Sequence, residues 1–366
     1  MPIYMDAHII SGVKAKDVAE AHTKDLIHQH EYGCKCMTYW TDEEREKVFC
    51  LIEAPDKDAV RELHKKSHGL IPNKIIEVSS KVVQSFLGRL YDPEDVESND
   101  EGLKIFNDSS FRILLVVKII DSILLQHELG SVKANELLLR LRSVVKKSLS
   151  TCGGSSVEYA GAEFVVSFTS AATAISCASS ITENLTPEDV GLLDLKIAIN
   201  AGDPIEKSNK LFGDVIQQAA NMCMLQGSFR VAVCSSIKDL VANTDIQNKK
   251  EKFRTLSPHD ESLLRSLFSK LEENFGNCNF DIADYGKAMA MSMSQLYRKT
   301  LELTGMSPNQ LLKDYRLAKA KELMKQKPYS ISQISFDTGF TSPSYFTKCF
   351  KLKYGLLPKA YLDMLQ

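Results

Sequence analysis

At 366 residues the chain is too long for one typical domain, and about two or three are expected. Hydrophobic residues make up 44% and charged residues 25%, ordinary values for a soluble globular protein, and no apolar run is long enough to span a bilayer; LLVVKII at Leu114–Ile120 is too short and carries a lysine. The net charge of −2 hides an asymmetry: Lys287–Gln366 holds 13 Lys/Arg against 5 Asp/Glu, whereas the first 286 residues hold 32 against 42. A basic end on an acidic body is the electrostatic footprint of one nucleic-acid-binding module, and the acidic remainder repels DNA. The opening MPIYMDAHII lacks the basic region and apolar core of a secretory signal, and the nine cysteines have no regular spacing. Both point to reduced thiols and a cytoplasmic protein with no membrane partner.

Residues 1–80 read as strand, helix, strand, strand, helix, strand. Ile3–Ile9 is the first strand, and Lys16–Gln29 a helix with Val18, Ala19, His22, Leu26 and Ile27 at helical spacing. Lys35–Trp40 and Val48–Glu53 flank the charged turn Thr41–Lys47 as in a hairpin. Asp56 caps a second helix that Gly69 and Pro72 close, and Ile75–Val78 is the last strand. This order predicts a ferredoxin-like βαββαβ domain. Six of the eight histidines fall here: His8, His22, His28, His30, His64 and His68. His64 and His68, four apart on one helix face, form a common two-ligand arrangement for a transition metal, and Asp6 and His8 share a strand face. Imidazole with carboxylate suits nickel, zinc or copper; the same residues also suit polar helix positions or hydrogen-bonded histidines near an interface.

The runs MDAH (Met5–His8), AEAHTKD (Ala19–Asp25), YGCKCMTYW (Tyr32–Trp40), VFCLIEAP (Val48–Pro55) and HKKSHGLIP (His64–Pro72) resemble a family of small ferredoxin-like proteins described as nickel-binding. The resemblance implies the fold, pairing of two such units, and nickel or another divalent transition metal at His8, His22, His64 and His68. Cys34, Cys36 and Cys50, on adjacent strands, read as core in preference to thiolate ligands.

Val82–Leu90 continues as a short helix, and the acidic, breaker-rich YDPEDVESNDEG at Tyr91–Gly102 reads as linker, so that 81–109 separates two domains. Beyond it come a strand at Phe111–Ile120, a helix at Ser131–Leu149, strands at Ser156–Tyr159 and Glu163–Phe168, and a helix at Ala171–Leu185. A strand at Leu195–Asn200, a helix at Gly213–Leu225 and a strand at Val231–Cys234 follow, giving a second and larger βαββαβ core over 110–242. RILLVVKIIDS (Arg112–Ser122), the run from Gly153 to Phe168, LKIAINAGDPIE (Leu195–Glu206) and FGDVIQQAANMC (Phe212–Cys223) resemble the class III nucleotidyl cyclase domain. Two-metal chemistry on a triphosphate needs two close carboxylates. By the resemblance those positions fall at Lys118 and Ala162, and the transition-state asparagine and arginine at Gln217 and Asn221. Asp121 lies three residues past Lys118, and Glu163 points to the opposite face of its strand. The expectation is a catalytically inactive cyclase-like domain, without a nucleotide cofactor, that serves dimerisation or binds a ligand.

A charged connection over 243–262 leads to helices at Leu263–Phe275, Ile282–Ala290 and Ser292–Leu303, a long amphipathic helix at Ser307–Gln326, and then ISQISFDTGFTSPSYFTKCFKLKY at Ile331–Tyr354. In that last stretch Gly339 is a left-handed stop, Ser342 an N-cap and Pro343 the first helical residue. Tyr345, Phe346, Cys349, Phe350 and Leu352 are assigned to the buried arc, and Ser344, Thr347, Lys348 and Lys351 to the opposite one. In the upstream helix Leu296, Tyr297, Leu301 and Leu303 are placed on one side, and Ser294, Gln295, Arg298, Lys299 and Glu302 on the other. A small-polar, basic face suits a major groove; it also suits an ordinary solvated helix.

Two helix-turn-helix units joined by one helix, with Ser292 and Ser342 spaced 50 residues apart, resemble the AraC-type DNA-binding domain over 263–366. Gly286 stands where alanine is usual there, and Thr300 where a larger apolar residue is usual. The resemblance implies that both reading helices enter successive major-groove segments of double-stranded DNA. The residues assigned to DNA are Gln295, Arg298 and Lys299 in the first unit and Ser342, Ser344, Thr347, Lys348 and Lys351 in the second. The expected protein is therefore two α+β ferredoxin-like domains followed by a seven-helix, all-α double helix-turn-helix domain. It is expected to be a homodimeric transcription regulator, not an enzyme, with a metal-sensing front. The rivals are a metal-buffering protein and a cyclase with residual activity.

Overall fold

The computed structural model describes residues 1–96, 99, 102–157, 164–240, 252–326 and 330–365. The chain divides into two compact units: Met1–Val116, Cys152–Ala174 and Ile199–Ala219 form one, and Val117–Thr151, Ile175–Ala198 and Ala220–Gln366 the other.

In the first unit, β1 (Ile3–Ile9), α1 (Ala15–His28), β2 (Lys35–Asp42), β3 (Lys47–Glu53), α2 (Lys57–Ser67) and β4 (Lys74–Val78) follow the expected order. They build a four-stranded antiparallel sheet in the order β2-β3-β1-β4. Asp56 caps α2 as read, accepting from Asp58 N at 2.9 Å and Ala59 N at 2.8 Å. One sheet face packs on α1 and α2. The other face, with Met5, Ala7, Trp40, Phe49, Leu51 and Ile76, is equally buried. Lys47 and Lys74 emerge there: Lys47 pairs with Asp203, and Lys74 Nζ donates to the carbonyls of Glu206, Lys207 and Ser208 at 3.1, 2.5 and 2.7 Å.

The expected linker is not free chain. After α3 (Ser80–Leu87), the described residues fold back onto the first domain. Phe106 stacks on Tyr39 with ring centroids 4.1 Å apart, Leu103 is buried beside Val13 and Val18, and Arg89 reaches the Tyr39 carbonyl. Composition alone misled here because the few apolar residues of 103–111 sit among many breakers.

The middle of the chain runs β5 (Arg112–Lys118), α4 (Ser122–Leu129), α5 (Ser131–Cys152), β6 (Ser155–Val157), β7 (Phe164–Phe168), α6 (Ala171–Glu183), α7 (Pro187–Leu192), β8 (Lys196–Gly202), α8 (Gly213–Met222), β9 (Val231–Val233), α9 (Ser235–Leu240) and β10 (Phe253–Thr255). Its six strands lie in the order β10-β9-β8-β5-β7-β6. The stretch β8-β5-β7-β6 repeats the order of the first sheet, β4-β1-β3-β2, so the two sheets share one topology. Helices α4, α7 and α9 and strand β10 escaped the sequence reading because each is short.

Among the described residues, seven helices follow: α10 (Pro258–Asn274), α11 (Ile282–Ala288), α12 (Met293–Thr304), α13 (Pro308–Gln326), α14 (Ile331–Asp337), α15 (Pro343–Tyr354) and α16 (Pro358–Asp363). Leu317, Ala320, Met324, Ile334, Phe340, Phe346, Phe350 and Tyr361 form one apolar core, which Ile123 and Leu124 of α4 join. Gly339, at φ +77°, has no room for a side chain: an added Cβ would lie 2.1 Å from the Phe275 carbonyl. Gly286 is less constrained: an added Cβ would lie 3.1 Å from the Met291 carbonyl, which a shift of a few tenths of an ångström relieves.

Candidate metal centre and nucleic-acid interface

The metal-ligand candidates converge between β1 and the two helices of the first domain. Asp6 and His8 face α1 and α2 from alternate positions of β1, and Cys50 lies directly across from Asp6 on β3. His64 is fully buried on α2. Its Nε2 lies 3.0 Å from Asp6 Oδ2, and its Nδ1 lies 2.9 Å from His68 Nε2 and 3.1 Å from Asp25 Oδ2. His68 Nε2 is 3.3 Å from the same Asp25 oxygen, and His8 Nε2 is 3.1 Å from Asp6 Oδ1. Two groups result, both containing His64: Asp6, His8, Cys50 and His64, and Asp25, His64 and His68, each with donor atoms within 4.8 Å of one another.

The electrostatics are those of two buried carboxylates sharing one cation. Burial opposes charge on Asp6 and Asp25, but His64 outweighs it, with His8 at Asp6 and His68 at Asp25, and both carboxyls are held below the usual range; Asp25 falls to about 2. Burial likewise opposes a charged His64, yet Asp6 and Asp25 raise it from 6.5 to about 10. Burial, with Asp6 beside it, pushes the Cys50 thiol well up.

The donor set fits a divalent transition metal. Asp25 Oδ1 is buried without a hydrogen-bond partner, and Asp6 Oδ1 has only the His8 ring nitrogen beside it, without hydrogen-bond geometry. Two orphaned carboxylate oxygens next to three imidazoles offer mixed nitrogen and oxygen ligation. A cavity of about 120 Å³ lined by His8, His22, Asp25, Cys50 and His68 adjoins the cluster.

Of the four expected ligands, His8, His64 and His68 meet. His22 lines the same cavity, but its Nε2 turns to Asp92 Oδ2 at 3.2 Å and its ring packs 5.1 Å from Tyr39. Asp25 was missed as a ligand candidate, although it is a carboxylate three residues after His22 on the buried face of α1. Cys50 was weighed as a thiolate and read as core; it packs against the apolar core and also lies across the sheet from Asp6. Cys34 and Cys36 lie in the apolar core as read.

In the C-terminal segment the two helices expected to read DNA are α12 and α15. Ser292 caps α12 in a reciprocal capping box: Gln295 N donates to Ser292 Oγ at 3.3 Å, and Ser292 N to Gln295 Oε1 at 3.1 Å. Gln295 therefore keeps only its amide nitrogen for a partner. Ser342 Oγ accepts from Tyr345 N at 3.2 Å, so its hydroxyl serves the helix. Gln295, Arg298, Ser344, Lys348 and Lys351 are exposed, and Lys299 and Thr347 half-buried.

Four residues assigned to the buried arcs are instead exposed: Tyr297 at 53%, Leu301 at 42%, Tyr345 at 52% and Leu352 at 81%. The buried arc of α12 is Leu296, Thr300 and Leu303, and Tyr297 and Leu301 lie about 100° and 140° from Leu296. Hydrophobicity drew them into the core on paper, although the helical angle excludes them.

Helix-turn-helix domain models match residues 285–364, and the model of the nickel responsive protein SCO4226-like family matches residues 4–78. The chain is 36% identical over 107 residues to histidine kinase P4 of Formosa agariphila, spanning 29% of this chain and 8% of that protein. It is 29% identical over 153 residues to the HTH-type transcriptional activator RhaR of Yersinia pestis, spanning 40% of this chain and 50% of that one. The chain thus spans half or less of the length of these relatives. Among solved structures, SCO4226 of Streptomyces coelicolor is 27% identical, covering 21% of this chain and 94% of that one with a TM-score of 0.20. The DNA-binding domain of AdpA in complex with a target DNA is 26% identical, covering 27% and 88% with a TM-score of 0.26. Residues 4–78 are thus similar to the nickel responsive protein SCO4226-like family, and residues 285–364 to a helix-turn-helix domain.

Proposed function

We propose that the protein is a sequence-specific DNA-binding transcription regulator with a transition-metal-binding front domain. The observation that carries the DNA reading is the pair of capped helices, α12 and α15, each with exposed polar and basic residues on one face and joined by α13. Arg298 and the amide nitrogen of Gln295 address base edges, while Lys348 and Lys351 neutralise phosphates. The exposed rings of Tyr297 and Tyr345 add apolar contacts of the kind that thymine methyls accept. Replacing Arg298 by Ala is expected to cost about 1–3 kcal/mol on the best site and little on random DNA. Fluorescence anisotropy on a selected duplex and a scrambled one measures both, and equal loss on the two reduces Arg298 to a phosphate contact.

His8, His64 and His68 with Asp6 and Asp25 are the residues that would hold nickel or another divalent ion, and Cys50 stands beside them. Such an ion would supply positive charge beside the Asp6 and Asp25 carboxylates, and His64, which those carboxylates hold protonated, would have to lose its proton to bind it. The middle segment reads as a cyclase-like domain without catalytic residues. Its sheet repeats the ferredoxin-like order, Lys118 closes β5 at one metal-ligand position, and Asp121 is committed to Lys325 and Tyr361. The other position, Ala162 with its neighbour Glu163, lies outside the described residues. Incubation with ATP or GTP and manganese should yield no cyclic nucleotide.

A further inference from the structure

The turn after β5, the start of α4 and parts of α13 and α15 enclose a cavity of about 700 Å³ that neither the DNA reading nor the metal reading uses. Small-molecule sites are commonly about 300–1,000 Å³. Ile119, Ile120, Leu124 and Tyr354 give it apolar walls, and Lys321 gives it a charge.

Lys321 is 18% exposed and stands 4.5 Å from the centre of the Tyr354 ring. Its nearest carboxylate oxygen, Asp121 Oδ2 at 3.9 Å, is already committed, receiving Lys325 Nζ at 2.5 Å and the Tyr361 hydroxyl at 3.0 Å. Asp121 Oδ1 accepts from Ile123 N at 3.1 Å. Lys353, also on the wall, pairs with Asp314 at 2.7 Å. His127, Glu128 and Asp194 line the cavity from solvent-exposed positions. Burial lowers Lys321 to about 8; Asp121 resists that shift, and Lys325, Lys118 and Lys353 add to it. The ammonium is thus partly desolvated and crowded by other cations, with Asp121, 3.9 Å away and shared with Lys325 and Tyr361, as its ion-pair partner.

We propose that this cavity binds a small organic anion, a carboxylate borne on an apolar or aromatic body, with Lys321 as its charge partner. A neutral apolar ligand would leave Lys321 with only the shared carboxylate of Asp121 and the Tyr354 ring, and a bare inorganic anion would leave the Ile119, Ile120, Leu124 and Tyr354 walls without a partner. Acetylation of lysines in the full chain, resolved by peptide mass spectrometry, tests this with benzoate and inorganic phosphate as probes. Saturating benzoate should slow labelling of Lys321 by about tenfold, and phosphate should slow it far less, while the exposed Lys133 is unaffected by either. Equilibrium dialysis should show benzoate binding lost by about tenfold in Lys321→Gln and largely kept in Lys321→Arg, with circular dichroism confirming that both variants fold. Unprotected Lys321, equal protection by phosphate, or unaltered benzoate binding by Lys321→Gln overturns the proposal.

Discussion

At the scale of single residues, the His64 cluster carries the sharpest expectations. A raised imidazole stabilises the metal-free fold fully below its unfolded value of 6.5, and that stabilisation is lost as pH rises through about 10. Asp25, lowered to about 2, contributes above its ordinary 3.8 and stops contributing as pH falls through its folded value. The metal-free front domain should therefore be most stable between about pH 4 and 6.5 and weaken toward alkaline pH. Metal affinity should move the other way, rising with pH as His64 releases its proton. Calorimetric titration with nickel at several pH values measures this, and an affinity independent of pH from 6 to 8, on the order of one constant, contradicts it. Thr300 gives a second expectation: it is fully buried, and its hydroxyl lacks a hydrogen-bond partner. Thr300→Val should stabilise the protein by about 1 kcal/mol, seen as a raised denaturation midpoint. The His64 and His68 pair was legible because the two lie four apart, His64 in α2 and His68 at its C-cap. Asp25 was not, because it meets them only once α1 and α2 pack together.

At the scale of elements, the long and strongly patterned segments were read well. The β1 strand has the expected bounds, and Asp56 and Ser342 cap the helices they were expected to cap. The errors concern elements whose partners lie far away in sequence. The buried arc of α15 is Phe346, Cys349 and Phe350; Tyr345 and Leu352 were added by hydrophobicity and are exposed. The expected linker became a strap because Leu103 and Phe106 find Val13, Val18 and Tyr39, a surface no local pattern announces. Phe106→Ala should consequently cost about 3 kcal/mol in urea denaturation of the full chain, whereas a free linker would lose almost nothing.

At the scale of the molecule, the basic surplus of the last 80 residues coincides with the helix-turn-helix match over 285–364. The repetition of one sheet order in two successive domains was legible from the alternation of strands and helices. The second sheet's extension by β9 and β10 depends on pairing between distant segments and was not. Among the described residues no helix is long and apolar enough to cross a membrane. We propose that a metal held by the first domain governs DNA occupancy by the last. Genome-wide DNA occupancy of the intact protein, with and without added nickel, tests that claim most directly. The account predicts discrete sites, each with two contacted segments about one helical turn apart, whose occupancy changes with nickel and ceases to change in His64→Ala. Discrete sites with occupancy indifferent to nickel, or no discrete sites at all, would contradict it.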